Sequence, residues 1–408
     1  MNRPDVFLIS IDCLRPDHVG AFNRLSRLTP NLDRVISGGA IYTRAMSHAP
    51  FTTPAVASIL TGRYPFQHGV RLLLGQLCNP AATTLAEAAK RAGYVTAGFP
   101  SSFILNSPTG LSRGFDEYCD VEDGVMTRRG GCWRHGAPLN VALDEFLTRA
   151  GDDAVFCWLH YFDLHEYHLD ESAPHQTTYA RDLREKVDGG CVASLFRILE
   201  SHDRMRNAAF IFTADHGECL YDHNARGHGQ HLYNSVLHVP LAIVWPNVMR
   251  PGEVRRDLVR HVDLLPTLLD IWNLEPDDPA LAPPGRSLLD EPATDEITSY
   301  AEASPRQLFD GAAAEVRPFE GAEIQSIQTS QYKLIRKENG DRELYDLLND
   351  PGEFADLMTS TRTNAEPIAA DLADRLGDLL RAETFASATA AIPQEQVVRD
   401  RLRDLGYV

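Results

Sequence analysis

A chain of 408 residues, 43% hydrophobic and 24% charged, can bury a large core and exceeds the usual size of one compact domain. Its 57 acidic against 39 basic residues leave a formal charge of -18, which argues against a nucleic-acid partner because no basic stripe exists to release counterions. No apolar stretch reaches the roughly eighteen residues of a membrane span.

The N-terminal "MNRPDVFLISID" carries an apolar run too short for a signal sequence and no small-residue cleavage site, so a cytoplasmic protein is expected. From there, strand-length apolar runs recur: "DVFLIS" at 5–10, "YVTAGF" at 94–99, "AVFCWLH" at 154–160, "AAFIFTA" at 208–214 and "LAIVWP" at 241–246. Continuous runs of this kind predict parallel strands covered on both faces. Helical patterns lie between them. "TTPAVASIL" enters a helix through a threonine pair and a proline, and "TTLAEAAKRAG" offers Thr84 and Glu87 as a capping box with Gly93 as the stop. "HVDLLPTLLDIWNL" is a further amphipathic helix. The alternation predicts a doubly wound, mostly parallel α/β sheet over residues 1–290.

Residues 273–296 are dense in Pro and Asp and read as a connection. Beyond them, 324–347 reads as two strands flanking Asn339-Gly340, a hairpin signal. Residues 297–408 are therefore expected to form a smaller antiparallel α+β subdomain. The seven cysteines are scattered without a CxxC pair, and Cys13, Cys157 and Cys191 sit beside apolar runs, which favours reduced buried thiols. Lysine occurs only at positions 90, 186, 333 and 337; a salt-adapted host and an arginine bias from a GC-rich genome explain this equally well.

In open α/β sheets ligands gather at the carboxyl ends of the strands. Here "FLIS" leads to Asp12, "FIFTA" to Asp215 and His216, and "FCWLH" through His160 to Asp163 and His165. Carboxylate and imidazole are the ligand set of a divalent cation such as Zn²⁺ or Mn²⁺. One such Asp alone more often caps the following helix; three strand ends of one chemical type are harder to explain that way. Thr52 lies where a helix N-terminus favours an anion, and as a metal ligand its hydroxyl would lose its proton more easily and become a nucleophile. The plainer alternative makes Thr52 an N-cap and Pro54 a first-turn proline.

The chain resembles the sulfatase family of the alkaline phosphatase superfamily along nearly its full length. The resemblance rests on "ISIDCLRPDHVGAF", "LTPNLDRVISGGAIYTRAMSHAPFTTPAVASILTGRYPFQHGV", "LHYFDLHEYH", "FTADHGECLYDHNARGHGQHLYNSVLHVPL", "HVDLLPTLLD" and "YKLIRKENGDRELYDLLNDPGE". It implies that Asp12, Asp215 and His216 bind a divalent metal and that Thr52 stands at the nucleophile position. It implies that His228 contacts the ester oxygens and that His165 lines the substrate pocket. Asp163, His160 and His168 become helpers; in two-metal relatives this neighbourhood holds the second ion, although the Asp-to-His spacing here departs from that pattern.

The departures are chemical. Usual sulfatases carry Cys or Ser in C/S-x-P-S-R, oxidised to formylglycine, whereas this chain reads Thr52-Thr53-Pro54-Ala55-Val56. The acidic ligand that normally follows Asp12 is Cys13. Mn, Zn and Ca are the candidate ions, and a transition metal is favoured because Ca²⁺ needs more carboxylates. Asp12-x-x-Arg15-x-Asp17 with a threonine nucleophile is similar to nucleotide phosphodiesterases and lipoteichoic acid synthase-like phosphotransferases. The expected activity is hydrolysis of a small-molecule sulfate or phosphate ester. A phosphodiesterase or phosphotransferase of the same superfamily and a non-catalytic binding module are the alternatives. Contacts to the organic part are expected from loops 101–115 and 124–138.

Overall fold

All five apolar runs form strands because helices cover the sheet on both faces. The computed structural model describes residues 3–73, 76–121, 135–169, 173–275, 282–291, 296–304, 323–359 and 365–382, without the side chains of residues 168, 169 and 382. Within it the strands before residue 290 are β1 (Asp5–Ile11), β2 (Ala40–Met46), β3 (Val95–Pro100), β4 (Glu117–Tyr118), β5 (Val155–Tyr161), β6 (Ala208–Ala214), β7 (Cys219–Leu220), β8 (Arg226–Gly227), β9 (His238–Val244), β10 (Glu253–Arg255) and β11 (Val259–Arg260). One large sheet runs in the order β10-β2-β9-β6-β1-β5-β3-β4, with β11 also on β2. Phe156 meets Trp272 of helix Leu264–Trp272 on one face, and Phe210 and Phe212 meet Phe196 of helix Ala193–Ser201 on the other. The fold is a mostly parallel α/β sheet.

The register explains the convergence of strand ends. β1 is parallel to both β5 and β6, and Ile11 lies opposite Tyr161 and Ala214. The residues that follow, Asp12, Phe162 and Asp215, leave the sheet side by side. One expectation fails: "LAIVWP" forms β9, which runs antiparallel to β6 and β2. Double-sided burial set its composition, not strand direction. Thr84 and Glu87 do close the capping box, with Glu87 N donating to Thr84 Oγ1 at 3.1 Å and Thr84 N to Glu87 Oε2 at 2.8 Å.

A second sheet is wholly antiparallel, with β12 (Ser299–Ala303), β13 (Ile324–Gln328), β14 (Tyr332–Lys337) and β15 (Arg342–Asp346) in sequence order. Residues 324–347 thus hold three strands where the sequence suggested two, because Thr329 turns the chain and accepts backbone N–H bonds from Gln331 and Tyr332. Helix Ala365–Ala382 packs on β13 and β14, around a core of Tyr300, Ile327, Leu334, Leu344 and Leu372. Tyr64 and Val262 belong to that same core, so the second sheet is packed onto the first unit. A buried ion pair adds to the joint: Lys333 Nζ lies 2.7 Å from Glu353 Oε1 and donates to Asn234 Oδ1 at 3.0 Å. The six described cysteines are free thiols, five of them buried. No described helix is long and apolar enough to cross a membrane.

Candidate active site

Thr52 opens the helix Thr52–Thr61, whose ten residues are all buried. The extended residue Phe51 is the N-cap and Pro54 is the third helical residue, so Thr52 does not cap. Its hydroxyl is turned elsewhere: Oγ1 donates to Asp12 Oδ2 at 3.0 Å and lies 3.4 Å from His216 Nε2. Thr53 is spent on structure, donating to the carbonyl of Leu73 at 2.7 Å. Only the first of the two hydroxyls faces the strand ends.

Around it the structure gathers Asp12, Asp215, His216, His160, His165 and His228. Ligand atoms of Asp12, His160 and Asp215 lie within 4.8 Å of one another, as do those of Asp12, Cys13 and His165, and those of Cys13, His216 and His228. His160 is held through Nδ1 by Ser10 Oγ at 2.9 Å, which in turn accepts from Trp158 Nε1 at 3.0 Å. Its Nε2 then points at Asp12 Oδ2, 3.7 Å away. His165 stacks on Phe162 and meets the ring of His228 edge-on, with centroids 5.2 Å apart. Asp163 is directed away, accepting from Gly136 N at the start of helix Gly136–Ala150 and bonding to His135 Nδ1. The side chain of His168 and residues 124–134 of the loop 124–138 lie outside the described residues.

Two further residues contribute: Glu218 was not singled out from the sequence, and Cys13 was read only as a buried thiol in the place of an acidic ligand. Glu218 Oε2 is 3.1 Å from His228 Nδ1, and the β7–β8 ribbon enforces this by pairing Cys219 with Gly227. Its signal was its place two residues after His216. Cys13 donates to Asp12 Oδ1 at 2.7 Å and lies 3.7 Å from His228 Nδ1. Its signal was its place next to a ligand.

The electrostatics call for a cation. Burial and the charge of Asp12 push the Asp215 carboxyl well above its usual range. Burial also opposes ionisation of Asp12, but the adjoining imidazoles of His160, His216 and His165 outweigh it and hold that carboxyl low. Asp215 Oδ2 and His160 Nε2 are buried and make no hydrogen bond among the described residues. Burial, aided by the charge of His228, lowers His216 to about 4, leaving the neutral ring that ligation requires. Two adjacent buried carboxylates, unpartnered ligand atoms on Asp215 and His160 and the neutral His216 ring fit a divalent metal. For His228, burial disfavours the imidazolium, but the Glu218 carboxylate outweighs it and raises the pKa.

Residues 4–274 match the Sulfatase family, and residues 227–382 match the C-terminal family of N-sulphoglucosamine sulphohydrolase. The chain belongs to the sulfatase family. As a sulfatase-like protein it is a hydrolase acting on ester bonds. The chain is 22% identical to the ulvan-active sulfatase of Formosa agariphila over 88% of its own length and 77% of that protein. It is 23% identical to the N-acetylgalactosamine-6-sulfatase of Rattus norvegicus over 67% of its length, and the match spans 63% of the rat enzyme. Its fold superposes on a 2-O GAG sulfatase with TM-score 0.76 at 19% identity, covering 98% of this chain and 96% of the other. The phosphonate monoester hydrolase of Agrobacterium radiobacter gives TM-score 0.73 at 19% identity, covering 96% and 100%.

Proposed function

We propose that this sulfatase-family protein hydrolyses small-molecule sulfuric or phosphoric esters through a covalent ester of Thr52, with a preference for phosphorus. The observation that carries this reading is the position of Thr52 Oγ1 between Asp12 Oδ2 and His216 Nε2 while Thr53 is bonded elsewhere. Asp12, Asp215 and His216 would hold one divalent metal, and His160 lies within ligand spacing of Asp12 and Asp215. Such an ion supplies charge neutralisation at the carboxylates and at the ester oxygens.

Thr52 Oγ1 attacks the central atom as its proton passes to Asp12 Oδ2, the acceptor it already meets. His228, whose imidazolium the Glu218 carboxylate favours, stabilises negative charge on the ester oxygens. His165 shares that space and protonates the departing oxygen. Water then attacks the same central atom, giving a proton to His165, while Asp12 returns its proton to Oγ1 as the bond between Oγ1 and the central atom breaks and threonine is restored. Formylglycine hydrate can expel sulfate through its second hydroxyl; threonine has none, so both steps must occur at the central atom. That route is ordinary in-line displacement for phosphorus. It disfavours sulfur.

Two kinetic results test this. Thr52→Ala is expected to lower kcat by about 10⁴-fold or more with the fold intact by near-UV circular dichroism. Substantial residual kcat would move the role to Thr53 or to water. Against matched aryl esters, kcat/KM should be higher for the phosphate mono- or diester than for the sulfate. A sulfate turned over at least as fast contradicts the preference.

A further inference from the structure

The structure assigns Cys13 as a metal ligand, making the centre thiophilic; this rests on the metal-dependent reading above. Successive residues of a strand point to opposite faces, so Cys13 would turn away from Asp12 if β1 simply continued. It does not continue. Cys13 has φ of 59°, in the left-handed region that non-glycine residues rarely adopt. The strained turn is held in place: Tyr179 Oη donates to the Cys13 carbonyl at 2.8 Å and accepts from Arg15 N at 3.0 Å.

This turn brings Sγ to the same side as its neighbour, 2.7 Å from Asp12 Oδ1. From there Sγ shares ligand spacing with His216 and His228 on one side and with Asp12 and His165 on the other. A buried free cysteine usually packs as a small apolar group. Here the surroundings are a carboxylate and three imidazoles, and buried Asp215 Oδ2 and His160 Nε2 stand without hydrogen-bond partners in the adjoining ligand group. None of the other described cysteines belongs to such a group. Asp12 and Cys13 therefore offer one hard and one soft donor from consecutive residues. Thiolate selects zinc or cobalt(II) over calcium and magnesium, for which oxygen donors suffice.

The test loads the full-length protein with one equivalent of zinc and records the zinc K-edge absorption fine structure. A sulfur shell at about 2.3 Å is expected, and it should vanish in Cys13→Ser. In chelator competition, Cys13→Asp should bind zinc about 100-fold more weakly and gain affinity for calcium. Wild-type protein holding stoichiometric zinc through nitrogen and oxygen alone overturns the assignment while leaving the Thr52 chemistry standing. Failure to bind any divalent metal overturns both. If neither variant folds, the wild-type spectrum alone decides.

Discussion

Thr52 and Thr53 carry the same hydroxyl one residue apart, and the start of one helix sends them to opposite fates. Thr53→Val should therefore keep kcat while costing about 1–2 kcal/mol in urea unfolding, because the Leu73 carbonyl loses its donor. A large loss of kcat in that variant would contradict the division of labour. Glu218 acts one step back from the reaction. Its carboxylate is itself held low, burial being outweighed by the neighbouring His228 charge. Glu218→Gln keeps the shape and removes the charge, and kcat/KM is expected to fall on the order of 100-fold, with the melting temperature little changed. An unaffected kcat/KM would remove His228 from the reaction. Neither Glu218 nor Cys13 was legible as a partner in the sequence, since each needed a turn of the chain, the β7–β8 ribbon and the left-handed residue 13, to face the cluster.

Elements were more legible where burial alone wrote the sequence. β1, β3, β5 and β6 are continuous apolar runs, and their parallel register made Asp12 and Asp215 readable as neighbours. β2 went unread because Ile41, Thr43 and Arg44 are only partly buried and the register shifts between Tyr42 and Ala45. β9 was readable as a strand but not in direction, since composition reports covering rather than polarity. The helix carrying Thr52 ends at Gly62, with φ of 60° and a Cβ position 2.4 Å from Leu265 Cβ. Gly62→Ala should destabilise by about 2–4 kcal/mol, adding left-handed strain to overpacking. Denaturant unfolding reads this, and a change under about 0.5 kcal/mol would mean that the packing of helix Thr52–Thr61 on Leu265 is not tight.

Across the whole molecule, buried neutral histidines join the parts that carry the site. His68 bonds Ser58 on the Thr52 helix, His48 bonds the Tyr300 carbonyl of β12, and His261 bonds Thr213 of β6. Burial lowers His48 and takes His68 and His261 each to about 3. The unfolded chain binds protons at these rings below about pH 6.5 while the folded chain does not, so stability must fall as pH drops through that value. At pH 5 His68 and His261 each account for about 2 kcal/mol of the loss. Urea unfolding between pH 7.5 and 5 should show that decline, and a flat profile would contradict neutral burial. The central claim, a covalent ester on Thr52, is tested most directly by rapid acid quench of turnover with an aryl phosphate, followed by peptide mapping by mass spectrometry. One phosphoryl group is expected on the peptide holding residues 52–61, localised to Thr52 and absent in Thr52→Ala. Phosphorylation at another residue, or turnover in a pre-steady-state burst with no labelled peptide, would contradict it.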